Sequence, residues 1–298
     1  MGTNTFHLLI AEKRNDGHDI LHREHIASKI GVGGINKGLI TPEGKERAIT
    51  ALKKFKNVID YWEVEKSVAF GTSALRNAKN GREIIEKIKT EIGIDAKIIS
   101  GDEEAELIYK GVRAAIPLGK EKSLIIDIGG GSVEFIIGNE TEVFWKQSFE
   151  VGGQRLMEQF HHHDPILKEE VEQVDKFLKE ALHSLFTQLE IHQPSTLVGS
   201  SGTFDTLSEI CCHQQNVPYK ELPETPLTLK AFKNIFAELL AKNRAERMQI
   251  PGMIEMRVDM IVVACCLVDF LIKNHSFLNI RVSTYSLKEG VLASLTTP

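Results

Sequence analysis

The sequence predicts an α/β protein of two similar halves facing each other across a cleft. Three observations carry this. Short β-rich apolar runs alternate with helical patterns along both halves, as in layered α/β domains. Two strand–turn signatures recur at nearly one spacing. MGTNTFHLLI (1–10) aligns with IGGGSVEFII (128–137), setting Gly2 on Gly129, Thr5 on Ser132 and Ile10 on Ile137 at an offset of 127. VAFGTSA (68–74) aligns with TLVGSSG (196–202), setting Gly71 on Gly199 and Ser73 on Ser201 at an offset of 128. Finally, 298 residues with 42% apolar content suffice for two domains with sizeable cores.

The elements follow in order. TFHLLIAEK and DILHREHIASKIG read as two strands joined by a polar turn at Asn15, Asp16 and Gly17. Thr41 and Pro42 are an N-cap and first-turn pair. The spacing of Ala48, Leu52, Phe55, Ile59 and Trp62 then predicts one buried helical face. SVAFGTSALRNAKN is a short strand entering a small-residue turn, GREIIEKIKTEIG a helix and AKIIS a short strand. GDEEAELIYKGVRAA opens with acids and turns helical, as the helix dipole favours. LIIDIGGGSVEFIIG is a tight hairpin, and EVFWKQSFEVGG a third strand. From about Leu167 the chain is mostly helical, interrupted by the strand–turn unit STLVGSSGTFDTLSEI and closed by strand, turn and helix in IRVSTYSLKEGVLASL. The one abrupt change, IPLGKEK (116–122), divides the chain into a first domain over 1–118 and a second over 119–286, with a C-terminal helix over 287–298 packing back on the first.

The repeat also predicts something absent. Asp127 precedes the second hairpin, and its counterpart would fall just before Met1. The first hairpin therefore lacks an acid and most of a leading strand that should be central in its sheet. The expectation is a chain given from an internal or mis-assigned start.

Composition narrows the partners. A net charge of -5 favours neither nucleic acid nor an anionic membrane. The cysteines form two adjacent pairs, Cys211–Cys212 and Cys265–Cys266, in apolar helical stretches, which suggests reduced core thiols and a cytoplasmic protein. MIVVACCLVDFLI is interrupted by Asp269 and too short to span a bilayer.

Four small-residue turns offer anion-binding chemistry: Gly2, Thr3, Asn4 and Thr5; Thr72 and Ser73 of GTSALR; Gly129, Gly130, Gly131 and Ser132; and Gly199, Ser200, Ser201, Gly202 and Thr203. Backbone N–H groups and hydroxyls of such turns suit a chain of phosphates, and the glycines admit a closely approaching ligand. Asp127, at a strand end, either holds Mg²⁺ or caps the turn. Glu134 alternates with core-facing neighbours, which aims it at the cleft. A hydrolase also needs a base to orient water, and Glu103, Glu104 and Glu106 are candidates that spacing alone does not separate. Arg76 suits either a phosphate fork or a surface ion pair. HHHDP (161–165) reads as a solvated helix end, and Arg257 with Asp259 as a helix-terminal cap or ion pair.

Taken together, GTNTFHLLI, FGTSALRNAKN, IISGDEEAELIYKGV, IIDIGGGSVEFIIG, LVGSSGTFDTL, MRVDMI and STYSLKEGVL resemble, in this order and nearly end to end, the exopolyphosphatase/guanosine pentaphosphate phosphatase family. The resemblance implies the duplicated actin-like (ribonuclease-H-like) fold with its active site between the domains. It implies Glu104 as the residue orienting the attacking water and Asp127 and Glu134 as magnesium ligands. The four turns would carry phosphates, with Arg76 as a clamp. It further implies polyphosphate or guanosine pentaphosphate as substrate, and a homodimer. Three departures stand out: no aspartate precedes GTNT, GSSGT replaces a turn more often written with two glycines before the threonine, and the long C-terminal extension of larger members is missing. A kinase of the same superfamily and a non-catalytic polyphosphate- or nucleotide-binding sensor are the alternatives.

Overall fold

The computed structural model describes residues 1–14, 17–220 and 222–296. In the first half, β1 (Phe6–Arg14) pairs antiparallel with β2 (Gly17–Ile26). The turn expected at Asn15 and Asp16 lies outside the described residues. α1 (Pro42–Tyr61) starts as the sequence predicts: Thr41 accepts a hydrogen bond from the Gly44 N–H, and Pro42 fills the first turn. Ala48, Leu52 and Phe55 are buried, whereas Trp62 lies beyond the helix end at 39% exposure, because the helix stops one residue short of completing the stripe. β3 (Ala69–Gly71) runs parallel to β4 (Ala96–Ile98), with α2 (Ser73–Asn77) and α3 (Gly81–Ile92) between them.

α4 (Gly101–Ala115) is started by a capping box in which Ser100 and Glu103 each satisfy the other's backbone N–H. β5 (Ser123–Ile128), β6 (Val133–Gly138) and β7 (Val143–Phe149) form an antiparallel meander. Helices α5 (Gly153–Phe160), α6 (Lys168–Ala181) and α7 (His183–His192) lead to β8 (Thr196–Ser200), which pairs parallel with β5. After α8 (Gly202–Gln214), β9 (Glu224–Thr225), α9 (Leu229–Ala241), α10 (Arg244–Arg247) and α11 (Ile261–Asn274), β10 (Asn279–Ser283) pairs parallel with β8, and α12 (Leu287–Thr296) ends the described chain. The second half thus holds one six-stranded sheet in the order β7-β6-β5-β8-β10-β9. The first half holds two separate strand pairs, β1-β2 and β3-β4.

Each half has its own core. Phe6, Leu52, Phe55, Leu75 and Ile84 anchor the first, and Phe135, Phe204, Phe232 and α11 the second. α11 is buried along nearly its whole length, so MIVVACCLVDFLI is a core helix, and all four cysteines are free and buried. Among the described residues no helix is long and apolar enough to cross a membrane. α4 falls within 1–118, yet its Ala105, Ile108 and Val112 pack on Ile125, Ile136 and Val198 of the second sheet. α12 in turn lies on α4. A Cβ at Gly290 would sit 1.7 Å from the Leu107 carbonyl oxygen, and one at Gly111 2.0 Å from that of Ser286, so only glycines allow these backbones to meet. α4 and α12 are therefore the packed joint that brings Glu104 to the second half.

Candidate active site

The β5–β6 register sets Asp127 opposite Glu134, so both carboxylates project from the same face of the hairpin. Asp127 Oδ2 accepts from Ser200 Oγ at 2.7 Å and from Ser286 Oγ at 2.5 Å. Glu134 Oε1 accepts from Ser132 Oγ and Ser148 Oγ, both at 2.7 Å. Glu104, in the first turn of α4, accepts at Oε2 from Arg76 Nη1 at 2.8 Å. Their exposures are 7%, 1% and 6% respectively.

Burial is the main cause that holds all three above the usual carboxylate range. The nearby charges of Glu104 and Asp127 push Glu134 well above it, while Arg76 opposes the rise at Glu104 and the serine hydroxyls oppose it at Asp127 and Glu134. Three mutually repelling buried carboxylates call for protons or a counter-cation.

Two matching turns close over these acids. The Gly2 N–H donates to the Thr5 carbonyl at 3.1 Å, and the Gly129 N–H to that of Ser132 at 3.0 Å, repeating one geometry in the two halves. They touch: a Cβ at Gly131 would lie 2.5 Å from both Ser73 Oγ and Thr3 Oγ1, and one at Gly130 2.8 Å from Asn4 Oδ1. The close approach that the glycines permit is thus, first of all, that of the facing half.

A cavity of about 420 Å³ opens between the halves. Its walls include Gly2, Thr3, Asn4, Thr5, Thr72, Ser73, Glu104, Asp127, Gly129, Gly130, Gly131, Ser132, Glu134, Ser201 and Gly202. Four predicted residues lie behind this wall. Gly199 packs under the Phe204 ring, Ser200 is fully buried and donates to Asp127, and Thr203 is buried in the first turn of α8. Arg76 is engaged by Glu104, by Glu150 at 3.4 Å and by the Ile99 carbonyl, so it braces Glu104 rather than lining the cavity. Of the three acids left open by spacing, Glu103 caps its helix and pairs with Lys97, and Glu106 pairs with Lys146, which leaves Glu104 on the cavity. Ser201 adopts a φ of 69°, the left-handed region that favours glycine, and donates from Oγ to the Ile128 carbonyl.

Several wall residues lie outside the sites that the sequence predicts. The Arg257 side chain lies over Gly202, where a Cβ would meet Nη2 at 2.0 Å. Its Nε has no hydrogen-bond partner, and among the described residues it forms no ion pair. It lines the cavity rather than capping a helix. Lys288 and Asp205 also line the cavity, and burial raises Asp205 to about 7. Buried Asn4 Oδ1 and Asp205 Oδ1 likewise lack partners, as polar atoms shaped for a ligand do. The signal for Arg257 was present in MRVDMI, but nothing local said that it meets Gly202, 55 residues earlier. In HHHDP, the His161 side chain turns inward while His163 pairs with Glu170, and among the described residues no three His, Cys, Asp or Glu side chains are grouped to hold one ion.

Several known proteins are similar to this chain over nearly its whole length. The Ppx/GppA phosphatase family model matches residues 9–297. An exopolyphosphatase from Cytophaga hutchinsonii is 46% identical with a TM-score of 0.96, covering 99% of this chain and 95% of that one. An Aquifex aeolicus member of the Ppx/GppA family is 27% identical with a TM-score of 0.79, at 99% and 95% coverage. Exopolyphosphatase 2 of Mycobacterium tuberculosis is 28% identical over 99% of this chain and 96% of its own.

Proposed function

This chain belongs to the Ppx/GppA phosphatase family, and from that premise we propose that it is a phosphoanhydride hydrolase releasing the terminal phosphate of inorganic polyphosphate, or the 5′ γ-phosphate of guanosine pentaphosphate. One observation carries the reading. A buried carboxylate, Glu104, faces a pair of buried carboxylates, Asp127 and Glu134, across a cavity walled by amide-rich turns from both halves.

In the proposed reaction, the turn amides and hydroxyls, with Arg257 and Lys288, hold the phosphate chain. Arg76 fixes Glu104 Oε2, which leaves Oε1 to hold a water molecule. The water oxygen bonds to the terminal phosphorus, the bridging P–O bond breaks, and the water's proton passes to Glu104. A carboxylate raised by burial is the better acceptor for it. The mutual repulsion of Asp127 and Glu134 and their all-oxygen chemistry fit Mg²⁺, which takes one or two carboxylates and completes its shell with phosphate oxygens and water. That ion would offset charge on the departing group.

The test is phosphate release from long and short polyphosphate, guanosine pentaphosphate and ATP, each titrated with magnesium. Turnover of polyphosphate or guanosine pentaphosphate without a phosphate acceptor is expected. Glu104→Gln should bind substrate and lose about 10³-fold in kcat. Retained turnover would remove Glu104 from the role, and turnover only with an acceptor would favour the kinase.

A further inference from the structure

Asp205 and Arg257 both line the cavity, and each has a buried atom without a hydrogen-bond partner, Oδ1 and Nε respectively. Each feels the other's charge, yet among the described residues no ion pair joins them. Opposite charges held apart with polar atoms unsatisfied are unfavourable unless a ligand joins them.

The fold sets both at one helix end. Asp205 lies in the first turn of α8, and Arg257 lies across Gly202, the first residue of that helix. Ser201, at the N-cap position, makes no capping bond, because its hydroxyl donates to the Ile128 carbonyl. The N-terminal amides of α8 are thus left uncapped by that side chain, in the arrangement that suits an anion. The other charges bearing on Asp205 are Asp127 of β5 and, from α12, Lys288 and Glu289, which pair with each other at 3.0 Å.

A ligand that satisfies this end must accept from Arg257 and the helix amides and also donate to Asp205. A phosphate that carries a hydrogen does both, since its P–O oxygens accept and its P–OH donates. Terminal phosphates have a second ionisation near neutrality and so carry such a hydrogen. Phosphates inside a chain have no second ionisation and present acceptors only.

We propose that Asp205 is a specificity-determining residue that accepts a hydrogen bond from the P–OH of a terminal phosphate whose other oxygens meet Arg257 and the α8 amides. An internal phosphate would set its oxygens against an unmatched carboxylate, so this end of the cavity seats a chain end rather than a stretch of chain. The substrate rests on the hydrolase reading, but the test needs binding alone.

Inorganic phosphate and sulfate are alike in shape, and above neutrality both are dianions, of which only phosphate keeps a hydrogen. Burial raises Asp205 to about 7, so at about pH 8.5 its carboxylate only accepts. Calorimetric titration of the full chain at that pH, without metal, should show phosphate binding about 10-fold tighter than sulfate or more. Asp205→Asn can turn an N–H toward the ligand and should bring the two within about twofold, chiefly through tighter sulfate binding. That variant loses a buried charge without a bonded partner, so its Tm at the same pH should be no lower. A second measurement needs no variant: at about pH 6 Asp205 carries a proton and can donate, so the preference of the unsubstituted chain should narrow. Equal affinities at pH 8.5, binding of neither anion, or an undiminished preference in Asp205→Asn overturns the proposal. Selective binding in a chain that releases phosphate from no substrate would instead overturn the hydrolase reading and leave this one standing.

Discussion

The two halves differ in what they hold in place. The second carries an unbroken six-stranded sheet, and hydroxyls of Ser132, Ser148, Ser200 and Ser286 hold Asp127 and Glu134 of its hairpin. The first carries the matching turn, Gly2–Thr5, on a strand pair whose inner edge faces an apolar cavity. One turn geometry therefore stands on two supports of different rigidity. Asp127 and Glu134 sit on the continuous sheet, where each accepts from two serine hydroxyls, and the facing turn lines the same cavity.

The largest expected contrast is in stability. Phe135 is fully buried and meets Phe149 edge to face at 5.6 Å, so Phe135→Ala should cost about 3–5 kcal/mol. Phe55 is also buried but already borders the cavity, so Phe55→Ala should cost less, about 2 kcal/mol. Hydrogen exchange resolved by half, under increasing urea, measures both. Equal costs would mean that the first half is packed as tightly as the second.

A second contrast is in pH. Glu134 is held well above its ordinary value by burial and by the charges of Glu104 and Asp127. The unfolded chain releases that proton first, so the contribution of Glu134 is fully favourable below the ordinary carboxylate range and is lost as pH rises through its folded value. Glu134→Gln cannot titrate, so its Tm relative to the unsubstituted chain should climb, without magnesium, as pH rises from the ordinary carboxylate range through the raised folded value of Glu134. With saturating magnesium the climb should shrink. A Tm difference independent of pH would sink the assignment of like-charge repulsion to this site.

Much of this could be read from local spacing. The Thr41–Pro42 helix start and the Asp127–Glu134 hairpin each follow from residues within a few positions of one another. The 127-residue offset located both turns. What local reading lacked was long-range proximity. Arg76 suits either a phosphate fork or an ion pair by its local sequence, and the position of Glu104, 28 residues later, makes it that acid's partner. Trp62 extended a stripe arithmetically past the point where the helix ends. The glycines of the hairpin were explained by a ligand, whereas Thr3, Asn4 and Ser73 of the other half already occupy the space beside them.

The smallest contrast compares equivalent residues of the two turns. Ser132 Oγ donates to Glu134 at 2.7 Å, inside the buried site, while Thr5 Oγ1 contacts Met256 Sδ at 3.3 Å, a weak acceptor. Ser132→Ala leaves Ser148 as the one remaining hydroxyl on Glu134 Oε1 and removes a bond to a charged group. Glu134 then holds its proton more tightly and gives it up less readily to a metal. The magnesium needed for half-maximal rate should rise about 10-fold, in the range usual for lost partners of metal ligands. Thr5→Ala removes no partner of an acid and keeps the Gly2-to-Thr5 backbone bond, so its requirement should stay within about twofold. Magnesium titrations of both variants against the same substrate decide the matter. Matching shifts would show that the two turns bear on the ion alike, and that the division of labour between rigid and pliant halves is mistaken.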